Sequence, residues 1–248
     1  MECDMLVALA SATVGGQTLF ALQHRGPLHQ RGVLRRCPHR QCPPDERLFL
    51  NGREVPPTRS AACVLGWQPE NEWGFSHGMN AHQVVAGCAS WNSRIERVQD
   101  GLSGPTLVRL VLERSHGANH GLEVLADLIG RFGQGEVGGA DALFVVADPQ
   151  EAFVVEAAGP YWAVLECQQV RAVADVALIR QDWDRICPGT ADFAMGRGWW
   201  ADGGAKLDFV GSLGQPTMNQ RQALKRWGRA TLLLEQQNGH LDLPVLRR

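Results

Sequence analysis

The sequence predicts an α+β domain in which strands lie on both sides of one pair of helices. Three observations carry this. Short apolar runs bounded by Gly, Pro, Asn and Asp recur in the first and last thirds, as strands do. Two central segments repeat their leucines at helical spacing: Leu107, Leu110 and Val111, then Leu122, Leu125, Leu128 and Ile129. The 248 residues are 44% hydrophobic and 20% charged, with no internal repeat and no dividing linker, which suits one domain over 1–248 with a full core. A doubly wound parallel sheet would instead alternate strand and helix along the whole chain.

The elements follow in order. Leu6 to Leu9 and Gln17 to Leu22 flank Gly15-Gly16 and read as a hairpin that carries Cys3 at its leading end. Prolines and arginines from Pro27 to Arg59 suggest irregular structure with one strand at Arg47 to Leu50. Ala61 to Gly66 and Val84 to Trp91 are strand-like, and Trp67 to Gly74 reads as a loop. Helices are expected over Gly104 to Arg114 and Gly121 to Phe132, with Gly117 ending the first and Asn119 capping the second. Ala142 to Ala147 and Ala152 to Ala157 turn about Asp148-Pro149-Gln150, and Trp162 to Glu166 and Val170 to Val173 extend the meander. A strand and turn at Val176 to Ile179 and a helix from Asn219 to Gln237 complete the pattern.

Composition removes several function classes. Lys+Arg 24 against Asp+Glu 26 offers no general field for nucleic acid or an anionic membrane, and no aromatic platform accompanies the basic stretch Arg31 to Arg40. No window reaches the roughly 18 apolar residues of a membrane helix, and no secretory signal opens the chain, so a cytoplasmic protein is expected. Seven cysteines without regular spacing predict free thiols. Neither Cys37-x4-Cys42 nor His116-x3-His120 has the second half of a metal site, so no metal or cofactor is expected. A phosphate-binding loop and Gly-x-Ser-x-Gly are both missing.

Cys3 draws attention by its position. A cysteine made the first residue of a mature chain combines a nucleophile with its own α-amine, whose reference pKa of about 7.7–8.0 suits proton transfer at neutral pH. The competing reading is a small buried residue near a chain end.

A resemblance spread over most of the chain favours the first reading. Cys3-Asp4-Met5-Leu6-Val7-Ala8-Leu9, Glu72-Trp73-Gly74-Phe75, Gly78-Met79-Asn80-Ala81-His82, Leu102-Ser103-Gly104-Pro105, Ala147-Asp148-Pro149-Gln150-Glu151-Ala152, Tyr161-Trp162-Ala163 and Gly198-Trp199-Trp200 occur in order. Together they resemble the secernin and dipeptidase family of N-terminal nucleophile hydrolases. The resemblance implies a four-layer αββα sandwich and hydrolysis of a small amide or peptide bond through a cysteine thioester. It implies Cys3 as nucleophile, Asn80 as oxyanion donor and Arg25 as electrostatic partner, with His77 and Trp162 as substrate contacts.

The chain also departs from that pattern. Ala21-Leu22-Gln23-His24-Arg25 replaces a Gly-Lys-Asn type run, Gly87-Cys88-Ala89 stands for Gly-Asn-Glu, and Asp175 occupies the place of an asparagine. A carboxylate at Asp175 would repel an oxyanion. Exposing Cys3 requires cleavage after Glu2, which is too large for routine removal of Met1. Arg221 to Arg248 resembles a helix and connector that lie mid-chain in longer relatives. The sandwich is therefore expected to be incomplete, its missing strands supplied by a partner chain or a second copy in a homo-oligomer. A catalytically inactive relative serving as a binding or assembly module is the alternative to the enzyme.

Overall fold

The computed structural model describes residues 3–25, 31–43, 45–96, 100–135, 141–215 and 220–247. The chain opens with β1 (Cys3–Ala8), a 3-10 turn at Ala10–Ala12 and β2 (Leu19–His24). Next come β3 (Gly32–Cys37), β4 (Arg40–Gln41), β5 (Leu48–Leu50), β6 (Arg53–Val55), β7 (Ser60–Ala61), β8 (Val64–Pro69), β9 (His77–Asn80) and β10 (Val85–Trp91). Helices α1 (Gly104–Arg114) and α2 (Ala118–Phe132) lead into β11 (Asp141–Ala147), β12 (Ala152–Ala158), β13 (Tyr161–Glu166), β14 (Val170–Val173) and β15 (Arg185–Ile186). The last third holds α3 (Thr190–Gly196), α4 (Phe209–Leu213), α5 (Gln220–Gln236) and α6 (Leu243–Leu246).

Two antiparallel sheets face each other. One has eight strands in the order β15-β13-β12-β11-β10-β9-β8-β3, and the other three, β14-β1-β2. Alternation along each strand divides the core into layers. On β11, Phe144 and Val146 pack against Leu107, Leu125 and Ile129 of α1 and α2. Their neighbours Leu143, Val145 and Ala147 meet Met5 and Val7 between the sheets. Ala8 and Ala172, on the far side of the narrow sheet, pack with Leu234, Trp227 and Ala230 of α5. The order helix, sheet, sheet, helix is the αββα sandwich. Among the described residues the narrow sheet leaves part of the wide one bare: Leu34, Leu65, Trp67 and Met79 on β3, β8 and β9 remain 65%, 44%, 37% and 48% exposed.

Several local expectations change. The segment predicted to be irregular contains β3, an edge strand paired only with β8; its solvated face hides the alternation that marks half-buried strands (residues 26–30 lie outside the described ones). β8 runs on to Pro69 through the predicted loop. β14 does not extend the meander but crosses to the narrow sheet beside β1. Helix α2 begins at Ala118, so Asn119 lies inside it. The cap comes from the β11–β12 turn, where Asp148 Oδ2 accepts from Ala118 N at 2.7 Å and Glu151 Oε1 from Asn119 N at 3.1 Å. Asn219, the predicted first residue of the last helix, lies outside the described residues.

Val176 to Ile179 is a loop rather than a strand, tied down by Glu156 on β12. This buried carboxylate accepts from Leu178 N at 2.6 Å and Ile179 N at 2.9 Å. Burial pushes its pKa up to about 8, against the two backbone donors that lower it. A raised native pKa means that the native state holds a proton the unfolded chain has released, so this contribution to stability is present below the ordinary carboxylate value and disappears as pH rises toward about 8. Unfolding midpoints should therefore fall between pH 5 and 8, and Glu156→Gln should flatten that slope.

Close approach of the sheets requires Gly87. A Cβ there would lie 2.8 Å from the tip of the Phe20 ring, 3.1 Å from Met5 Sδ and 3.3 Å from Leu22 Cδ1. Gly87→Ala should cost about 1–3 kcal/mol, seen as a lower denaturant midpoint with an unchanged slope.

Candidate active site

Cys3 opens β1, the central strand of the narrow sheet, and is fully buried between the sheets. Burial pushes its thiol up to about 12; Asp4 and Asp175 add to the rise and Arg25 opposes it. Across the ladder on β2, His24 is its direct partner. On the other side Val173 faces Met5, which carries the chain after β14 to Asp175 at the level of Cys3.

Alternation turns Asp4 away from Cys3 toward α5. Asp4 meets two guanidinium groups, Arg25 Nε at 3.2 Å and Arg226 Nε at 3.2 Å. The same two cations hold Asp175: Arg25 Nη2 donates to Oδ1 at 2.9 Å, and Arg226 Nη2 donates to the same oxygen. The result is a neutral ring of two carboxylates and two guanidinium groups linking β1, the end of β2, the exit of β14 and α5. The repulsive carboxylate anticipated at Asp175 is thus neutralised by direct ion pairs. Arg226 escaped the sequence reading, although a signal existed: it is a cation embedded in the inward stripe Ala223, Trp227, Ala230 and Leu234 of an amphipathic helix.

His77 approaches from the wide sheet. It pairs with Gly87 on the face that receives Met5 and Leu22, and its Nδ1 lies 2.9 Å from Ser76 Oγ. Burial lowers its pKa, and so does the neighbouring His24. Burial likewise lowers His24. A cavity of about 160 Å³ reaches Asp175 and is lined also by Trp91, Asn92, Arg94, Val176 and Gln220.

Cys3, Arg25, Asp175 and His77 are therefore gathered at one end of the narrow sheet, together with His24 and Arg226. Asn80 and Trp162 are not. The Asn80 amide nitrogen donates to the carbonyls of Leu112 and Ser115 at 2.9 and 2.8 Å, while its oxygen accepts from His82 N and Val84 N at 2.9 and 3.0 Å. Those bonds close the β9–β10 turn onto the end of α1, so the oxyanion role expected for Asn80 has no donor left to fill it. Trp162 packs with the core beneath α1 and α2, on the face of the wide sheet opposite Cys3, which removes it from the expected substrate contacts. Among the described residues no group of three or more His, Cys, Asp or Glu is disposed to hold a metal, and no helix is long and apolar enough to cross a membrane.

No protein-family model matches the chain. Its architecture does match solved structures of a bile acid hydrolase and a penicillin acylase. A mutant of conjugated bile acid hydrolase from Clostridium perfringens is similar over 100% of this chain and 78% of its own, with a TM-score of 0.50 and 13% identity. Penicillin V acylase from Agrobacterium tumefaciens covers 97% of this chain and 67% of its own, with a TM-score of 0.51 and 13% identity. At such identities the likeness is one of fold. The chain thus has the N-terminal nucleophile hydrolase fold, and the narrower resemblance to secernins and dipeptidases draws no separate support from these structures.

The charge ring makes a quantitative expectation. Arg226→Gln should lower stability by about 1–3 kcal/mol, the scale of a hydrogen bond to a charged group. In a double-mutant cycle with Asp175→Asn, measured by denaturant unfolding, the two changes should couple by at least about 0.5 kcal/mol.

Proposed function

We propose that this protein is a cysteine amidohydrolase that cleaves a small amide or peptide bond, such as that of a dipeptide or an acylated amine. Cys3 supplies the nucleophile, and the carrying observation is its position: the leading end of the central strand, flanked by the Asp4–Arg25–Asp175–Arg226 ring within a hydrolase fold. The thiol attacks the carbonyl carbon, the amine departs, and water releases the acid from the thioester. The 160 Å³ cavity beside Asp175 supports a small substrate, because drug-sized ligands occupy pockets of about 300–1,000 Å³. Where the Glu2–Cys3 bond is cut, the freed α-amine adds a base on the nucleophile itself.

The second reading, a binding or assembly module, is favoured by two observations: Cys3 has no exposed surface, and the Asn80 amide is fully engaged elsewhere. Turnover separates the readings. A panel of dipeptides and N-acyl amines should give hydrolysis that Cys3→Ala abolishes, with an acyl adduct on the Cys3 peptide visible by mass spectrometry. An inert protein across the panel decides for the module, and activity that survives Cys3→Ala removes Cys3 from the mechanism. N-terminal sequencing of the same sample reports whether Cys3 is the first residue.

A further inference from the structure

The face of the narrow sheet turned away from Cys3 carries a groove that the hydrolase reading does not use. Side chains alternate along β1, so Asp4, Leu6 and Ala8 all look toward α5. Past the end of α5 the chain doubles back over this face. Gly239 takes a left-handed φ of 84°, Gly239 N and Leu241 N both donate to Ala12 O at 2.9 and 3.2 Å, and Leu241 O accepts from Val14 N at 3.0 Å. Asp242 then caps α6 by accepting from Val245 N at 2.8 Å. Between β1, α5 and α6 lies a cavity of about 220 Å³.

The cavity is polarised along its length. Asp4 and Arg226 stand at one end, where they pair with each other, and Arg229 follows one helical turn further on. The remaining wall is apolar, with Leu6 below, Leu233 on α5 and Leu241 and Val245 opposite. Both long walls change character in the same direction. β1 passes from Asp4 to Leu6 as α5 passes from Arg226 to Leu233, about 10 Å along its axis. Leu233 is 39% exposed, so apolar surface in this wall faces water.

The charges around the groove do not cancel. Asp4 is shared by Arg25 and Arg226 within the neutral ring, and Asp242 is engaged as the cap of α6. Among the described residues no carboxylate lies within ion-pair distance of Arg229, and Lys225, one turn before it on α5, adds a like charge.

We propose that this groove binds an aliphatic monocarboxylate, with the carboxylate on Arg229 and the chain laid along α5 toward Leu241. An apolar cavity of about 150 Å³ takes up benzene. A volume of about 220 Å³ therefore suits one unbranched chain of medium length. An uncharged ligand would leave Arg229 unanswered, and a ligand of higher negative charge would meet Asp4. A single carboxylate on an apolar chain matches both ends. The site lies across β1 from Cys3 and stands independently of the hydrolase reading.

Isothermal titration of the full chain with hexanoate, octanoate and decanoate, each below its micellar concentration, tests this. Saturable binding should tighten about fourfold for each added methylene, and decanoate should raise the thermal midpoint. Arg229 is exposed, so Arg229→Gln should keep the ligand-free midpoint. That variant should bind decanoate at least about fivefold more weakly and leave the affinity for 1-decanol unchanged. Leu233→Asp should weaken both ligands. No saturable binding, a decanoate affinity that survives both substitutions, or an equal loss of decanoate and 1-decanol in Arg229→Gln would each overturn the assignment.

Discussion

The end of β1 is held by a closed circuit of charge, and the geometry of the candidate site depends on it. Asp4 must face α5 because Cys3 and Met5 on either side of it face the wide sheet. A carboxylate in that half-buried position requires cations, and it receives Arg25 from the end of β2 and Arg226 from α5. Asp175 balances the second positive charge and draws the chain leaving β14 to the level of Cys3. Each pair alone, partly open to solvent, contributes little to stability. As a ring they join four segments at one point, which fixes the leading end of β1 and the cavity wall at Asp175 relative to each other.

Much of the fold was legible because its elements obey local rules. Helix α1 runs over the predicted Gly104 to Arg114, with Ser103 accepting from Thr106 N as its cap, and β11 and β12 follow the predicted runs about the Asp148 turn. What escaped was decided at long range. The start of α2 is set by acidic groups from another turn, and β3 is an edge whose residues stay wet. The transfer of β14 between sheets depends on the company of β1, which no window of β14 contains.

The site was legible to the same extent and for the same reason. Cys3, Arg25 and Asp175 stand out as single residues, and the structure brings them together. Asn80 has the right chemistry for an oxyanion donor, yet its hydrogen bonds serve the β9–β10 turn and the end of α1. Trp162 sits on the wrong face by one step of a two-residue period. Arg226 carries no motif, and its place in the charge ring arises only from helix phase.

The unequal widths of the two sheets set a gradient across the molecule. Strands β3, β8 and β9 present bare apolar surface to water, while Cys3 lies under complete cover beneath the narrower sheet. His77, on β9, marks the boundary, partly buried and adjacent to the first covered strand, β10. In the covered place of Cys3 the loss of hydration dominates the ionisation of the thiol, and the neighbouring charges of Asp4, Asp175 and Arg25 act second. The protein sorts its side chains by depth: bare apolar surface belongs to the outer strands, and the thiol belongs to the covered interior.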